Sequence, residues 1–150
     1  MSFDLESPTQ VGKSALLPYR DDQLYALVND IESYPTFLDG CENAELISRG
    51  EQVVDARLYL NKSGFRQAFT TRNQLTPNQK VSMELLEGPF QSLTGEWNIQ
   101  TLGEQGCKLS LDMSFVLEDS FMLRMAAPFF GKMGDRLVDA VVAEAARRFG

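Results

Sequence analysis

The sequence predicts an α+β domain in which an antiparallel sheet of about seven strands wraps a long C-terminal helix. Two observations carry this. From Ala44 to Leu117, strand-length segments of alternating apolar and polar residues are separated by turn residues. After Pro128, apolar side chains recur at Phe129, Phe130, Met133, Leu137, Val138, Val141, Val142, Ala145, Ala146 and Phe149, the spacing of one helix face. A sheet with one apolar face and one long apolar helix to cover it favour this packing.

Residues 1–8 read as a polar lead-in ending at Pro8, and residues 9–150 as one domain, long enough to bury a core and leave room for a cavity. Val11 to Leu17 is a first strand, stopped by Pro18. Asp21 or Asp22 caps a helix with Leu24, Tyr25, Leu27, Val28 and Ile31 at helical spacing. Tyr34-Pro35 ends it, because the residue before a proline is pushed out of helical geometry. Thr36 to Leu38 forms a short helical turn, and Asp39-Gly40 a break. Six strands follow, divided at Arg49-Gly50-Glu51, Asn61-Lys62-Ser63-Gly64, Thr76-Pro77-Asn78-Gln79, Glu87-Gly88-Pro89 and Gly103-Glu104-Gln105-Gly106. The last alternates most clearly, with Cys107, Leu109, Leu111, Met113, Phe115 and Leu117 on one face. The final helix begins between Asp119 and Pro128. An interior proline removes a hydrogen bond, so Pro128 is expected in its first turn and Phe121 to Ala127 in a separate helical turn.

Composition narrows the function classes. The chain has no histidine, which removes the commonest general base, the usual zinc ligand and every Ser-His or Cys-His arrangement. Cys41 and Cys107 lack metal spacing and read as buried free thiols. No Gly-rich phosphate loop, nucleophile elbow or metal cluster is present in the sequence. The N-terminus MSFDLESPTQ lacks the basic-then-apolar order of a signal peptide, and the longest apolar run falls far short of the ~20 residues that span a bilayer. A cytoplasmic location is the expectation. Net charge is −7, which opposes adhesion to DNA or other phosphate chains, but residues 49–80 carry +4. That segment reads either as a local basic face for a polyanion or as scattered solvated charges.

The stretches SALLPY (14–19), YALVNDIESYPTFLDGC (25–41), FTTRNQLT (69–76) and LLEGPFQSLTGEW (85–97) resemble one branch of the START-like superfamily of helix-grip folds. This branch holds the bacterial ribosome-association toxin and the mitochondrial coenzyme Q-binding protein, also filed under polyketide cyclase or lipid-transport domains. The likeness covers roughly residues 9–149. The last helix departs from the pattern, with VVAEAARRF where relatives carry an aromatic residue followed by an Arg-Ala pair.

The resemblance implies a non-enzymatic role of one of two kinds. The leading expectation is a cavity that holds an apolar ligand, ubiquinone or an isoprenoid-type lipid, in support of respiration. The alternative is the toxin of a toxin–antitoxin pair that binds the large ribosomal subunit and blocks subunit association. Phe37, Leu38, Met83, Leu85, Phe90, Leu93, Trp97, Phe129, Phe130 and Met133 are the expected cavity lining, and each reads equally as packed core. Tyr34 and Pro35 are the candidate lid hinge. Arg66 and Arg72 share one face of a strand by parity and are the candidate ribosome contacts. No cofactor is expected beyond such a lipid.

Overall fold

A computed structural model describes residues 8–62 and 64–150. All of the expected lead-in except Pro8 lies outside the described residues, as does Ser63 of the second turn. The chain runs β1 (Thr9–Leu17), α1 (Asp21–Val28), a 3-10 turn (Ile31–Ser33), α2 (Tyr34–Phe37), and then the strands β2 (Cys41–Arg49), β3 (Val53–Lys62), β4 (Phe65–Thr76), β5 (Lys80–Glu87), β6 (Phe90–Thr101) and β7 (Cys107–Leu117). It ends in α3 (Phe121–Phe149). The strands form one antiparallel sheet in the order β1-β7-β6-β5-β4-β3-β2. Consecutive hairpins build most of it, and β1 returns to pair along β7 from Thr9 opposite Phe115 to Leu17 opposite Cys107.

The sheet's apolar face grips α3. Phe130, Val138, Val141 and Ala145 of the helix are fully buried, against strand residues such as Leu109, Leu111 and Trp97. At Gly134 helix and β1 approach closely, since a Cβ there would lie 3.1 Å from Val11 Cγ2. The turn between β6 and β7 needs Gly106, whose φ is +136° and whose missing Cβ would fall 2.0 Å from the Leu17 carbonyl oxygen. Cys41 and Cys107 are free and buried. Burial pushes the Cys41 thiol up to about 11 and raises that of Cys107.

Three local expectations are corrected. First, α3 is continuous through Pro128. The proline is exposed while Leu123, Ala126, Phe130 and Met133 are buried, so one apolar stripe runs past it on the other side of the helix. Second, α1 stops at Val28, and Tyr34-Pro35 opens α2 instead of closing α1. Ile31 is buried from the intervening 3-10 turn. Third, Arg20 occupies the N-cap of α1, its backbone N–H donating to the Gln23 side chain at 3.0 Å, with Asp21 and Asp22 in the first turn near the positive end of the helix dipole.

Candidate functional site

Sheet and helix do not close completely. Between them lies a cavity of about 60 Å³, walled by strand residues including Ala56, Phe69, Val81 and Leu93, by Met133 and Leu137 of α3, and by Ile31, Tyr34 and Leu38 above. Gly95 of β6 sits opposite Met83 of β5 and Met113 of β7, and a Cβ in its place would lie 2.7 Å from Met83 Cε. Between Leu93 and Trp97 the strand thus presents no side chain, and the flexible Met83 takes up that room at the cavity wall. Two inward polar residues of β4 interrupt the apolar wall: Thr71 donates to Asn73 Oδ1 at 2.7 Å, and both are buried. A buried asparagine inside an apolar-facing strand is a signal the sequence reading passed over.

Of the residues expected on the wall, Leu38, Met83, Leu93, Trp97, Phe129 and Met133 line it. Phe37, Leu85, Phe90 and Phe130 do not. Phe37 packs on Tyr34 with ring centroids 5.4 Å apart and lies under the Arg148 guanidinium. Leu85 is half-buried at the sheet margin. Gly88-Pro89 turns Phe90 inward, where it meets Phe69, Phe115 and Phe130 at 5.3–5.8 Å in edge-to-face pairs, and this ring cluster fills what would otherwise be more cavity. The Tyr34 hydroxyl donates to the Val28 carbonyl, pinning α2 to the end of α1, with Pro35 half-buried beside it. Burial raises the Tyr34 pKa, so the phenol stays neutral.

Phe129 stands at the cavity's edge. It lines both the interior space and a surface groove of about 460 Å³ formed with Phe65, Phe121, Met122, Met125 and Ala126. Asp39 and Arg136 also border the cavity. Lys62 donates to the Asp39 carboxylate, which that hydrogen bond, with help from Arg136, holds below the ordinary carboxylate range.

On the outer face most cations of residues 49–80 have carboxylate partners. Arg72 forms a two-pronged pair with Asp55 at 2.9 and 3.0 Å, with the Asp55 side chain 11% exposed. Arg66 lies 3.5 Å from Glu42, and Arg57 is 2.8 Å from Glu87. Glu42, Glu87 and Asp39, brought against residues 49–80 from outside the segment, thus match Arg66, Arg57 and Lys62, and Asp55 within it matches Arg72.

A second buried carboxylate went unread. Glu144 is 4% exposed on the inner side of α3, and its oxygens accept from Arg147 Nε at 2.8 Å and Arg148 Nε at 2.7 Å. Those bonds hold its pKa down to about 2. Arg148 also reaches Asp30 at 2.9 Å, tying the helix end to the loop after α1.

A model of the polyketide cyclase / dehydrase and lipid transport family matches residues 17–145. The chain belongs to this family. Across this polyketide cyclase and lipid transport family the likeness varies in kind. A Pseudomonas aeruginosa protein named ribosome association toxin RatA is 37% identical over 142 residues, covering 95% of this chain and 99% of its own. The mitochondrial coenzyme Q-binding protein of Drosophila melanogaster is 26% identical, covering 92% of this chain and 59% of its own. The crystal structure of the Zhui aromatase/cyclase from a Streptomyces species superposes with a TM-score of 0.84 at 21% identity, over 95% of this chain and 96% of that one, and shares the fold.

Proposed function

We propose that this protein associates with the bacterial ribosome and acts as a toxin, binding the large subunit and opposing subunit joining without chemistry of its own. One observation carries this reading: the match to a protein named ribosome association toxin runs nearly end to end in both chains. The cavity supports it too. At about 60 Å³ it is small beside the roughly 300–1,000 Å³ of small-molecule sites, which supports a role other than ligand carriage. A non-catalytic role agrees with the lack of histidine and with the tying-up of the buried carboxylates Asp55 and Glu144 in ion pairs. The reading places the protein in the cytoplasm, and no helix among the described residues is long and apolar enough to cross a membrane.

Sedimentation tests it. Extracts of Pseudomonas aeruginosa expressing the protein are run on sucrose gradients at low salt. The protein is expected in the large-subunit fraction, with free subunits accumulating on overexpression. A protein that stays at the top while joined ribosomes are unchanged ends this reading.

A second reading is favoured by the apolar wall and by the position of Phe129. Swinging that ring aside would join the interior space to the outer groove and give an apolar ligand, ubiquinone or isoprenoid-like, room to enter. Trp97 is the sole tryptophan and lines the cavity, so its emission reports occupancy. Titration with a short-chain ubiquinone should quench it with saturation. Linear, unsaturable quenching, equal to that of free tryptophan, would reject the ligand.

A further inference from the structure

We propose that one exposed stripe of α3, Met122, Met125, Phe129, Lys132 and Arg136 with Phe121 beside it, is the surface that meets ribosomal RNA. The inference rests on the ribosome reading above and deepens it. Phe121 is placed to stack on an unpaired base, and Lys132 and Arg136 to hold the flanking phosphates.

The spacing three, four, three, four puts these five residues on one line along the helix. At its start Phe121, Met122 and Met125 are 75%, 65% and 71% exposed within little more than one turn, and they border the groove that ends at Phe129. Large apolar side chains grouped in this way mark a contact surface. RNA is recognised chiefly through unstacked bases laid on aromatic rings, and a flat exposed phenylalanine supplies such a ring.

The cations decide what kind of partner fits. Lys13, Arg20, Arg57, Lys62, Arg66, Arg72, Arg124, Arg147 and Arg148 each lie within ion-pair distance of a carboxylate. Among the described residues Arg49, Lys80, Lys108, Lys132 and Arg136 form no such pair. Arg49, Lys80 and Lys108 sit on three different strands, whereas Lys132 and Arg136 are one helical turn apart and continue the apolar stripe. The neighbouring acids have ion-pair partners outside the stripe, Asp119 in Arg124, Asp139 in Lys13 and Asp39 in Lys62, although Asp39 also feels the Arg136 charge. The stripe is thus locally positive on a chain of net charge −7, and a polyanion is steered to it and repelled from much of the remaining surface. A stripe that is apolar at one end and cationic at the other suits a nucleic acid, which offers base faces and phosphates side by side.

The test uses the full chain and ribosomes purified from Pseudomonas aeruginosa. Binding is measured by co-sedimentation at several salt concentrations for wild type, Lys132→Glu/Arg136→Glu, Phe121→Ser/Met125→Ser and, as a control elsewhere, Arg49→Glu/Lys80→Glu. Far-UV circular dichroism and Trp97 emission verify that each variant is folded. Both stripe variants should weaken binding, the charge reversal by roughly tenfold or more and with a salt slope shallower by about 1.4–1.8, the share of two phosphate contacts. The serine pair should leave the slope unchanged. The control should bind like wild type. Benzoylphenylalanine at position 125 should crosslink to RNA on irradiation.

If wild type itself fails to bind, the ribosome reading falls and this inference with it. If wild type binds and the stripe variants bind equally, the reading stands and the stripe is wrong. Equal loss in the Arg49→Glu/Lys80→Glu control overturns the placement, and crosslinks confined to protein overturn the choice of RNA.

Discussion

Phe129 and Phe130 are neighbours in sequence, yet their environments predict unequal consequences on truncation. Phe130 has no exposed surface, and four rings surround it with centroids at 5.3 Å (Phe90 and Phe129), 5.8 Å (Phe65) and 6.5 Å (Phe115). Phe130→Ala removes this ring from the centre of the cluster, and the neighbours, themselves held by strands β4, β6 and β7, can collapse only in part. The expected cost is about 3–5 kcal/mol, a large share of the roughly 5–15 kcal/mol that holds a domain folded. At about 2–4 °C per kcal/mol for a chain of this size, the melting temperature should fall by roughly 6–20 °C. Phe129 is only half-buried and borders open space on two sides, so Phe129→Ala should cost about 1–2 kcal/mol. Equilibrium urea unfolding followed by the emission of Trp97 measures both. Equal costs, or a loss below about 1 kcal/mol for Phe130→Ala, would refute the distinction between core ring and cavity edge.

Three further predictions follow from single contacts. Glu144 has a folded pKa depressed from 4.5 to about 2, so its contribution to stability is present above pH 4.5 and lost as pH falls toward 2. In an acid titration of wild type and Glu144→Gln, the stability difference should shrink across that window, and a constant difference would contradict it. Gly106→Ala forces a Cβ onto the Leu17 carbonyl at a positive φ; calorimetry should show a loss of more than about 3 kcal/mol, whereas Gly103→Ala, which meets nothing within 4 Å, should lose less. Both thiols are buried with raised pKa values, so a disulfide reagent at pH 8 should modify neither until urea unfolds the chain.

What the sequence made legible was whatever depends on neighbours in the chain. Turn residues and period-two alternation placed β2 to β7 closely, because both are local signals. Pro128 misled for the same reason, since a local rule says it breaks a helix. Here Leu123, Ala126 and Phe130 bury one continuous stripe across it, and tertiary packing outweighs one lost hydrogen bond. The cavity set was partly legible: parity tells which residues face inward, but not whether an inward residue meets a void or another ring. Phe90 and Phe130 meet rings, while Leu93 and Trp97 face the cavity. Arg66 and Arg72 show the limit most clearly. Their partners Glu42 and Asp55 lie 24 and 17 residues earlier and come within reach only through strand register. Glu144 could have been found, because a glutamate followed by arginines three and four residues on is a helical pairing pattern, though nothing local says that it is buried.

The pairing of β1 with β7 also has a consequence for how the chain is made. Residues 9–17 are made well before the one strand they pair with among the described residues, which ends at Leu117, about a hundred residues later. At roughly 5–20 residues per second that is a delay of about 5–20 s, during which the first strand has neither its neighbour nor the helix that packs over it. The hairpins from β2 to β7 can zip in order as they emerge. Closure at β1 must wait for β7, and the docking of α3 for residue 149. Under the ribosome reading proposed above, the stripe on α3 is the last part of the described fold to reach its place.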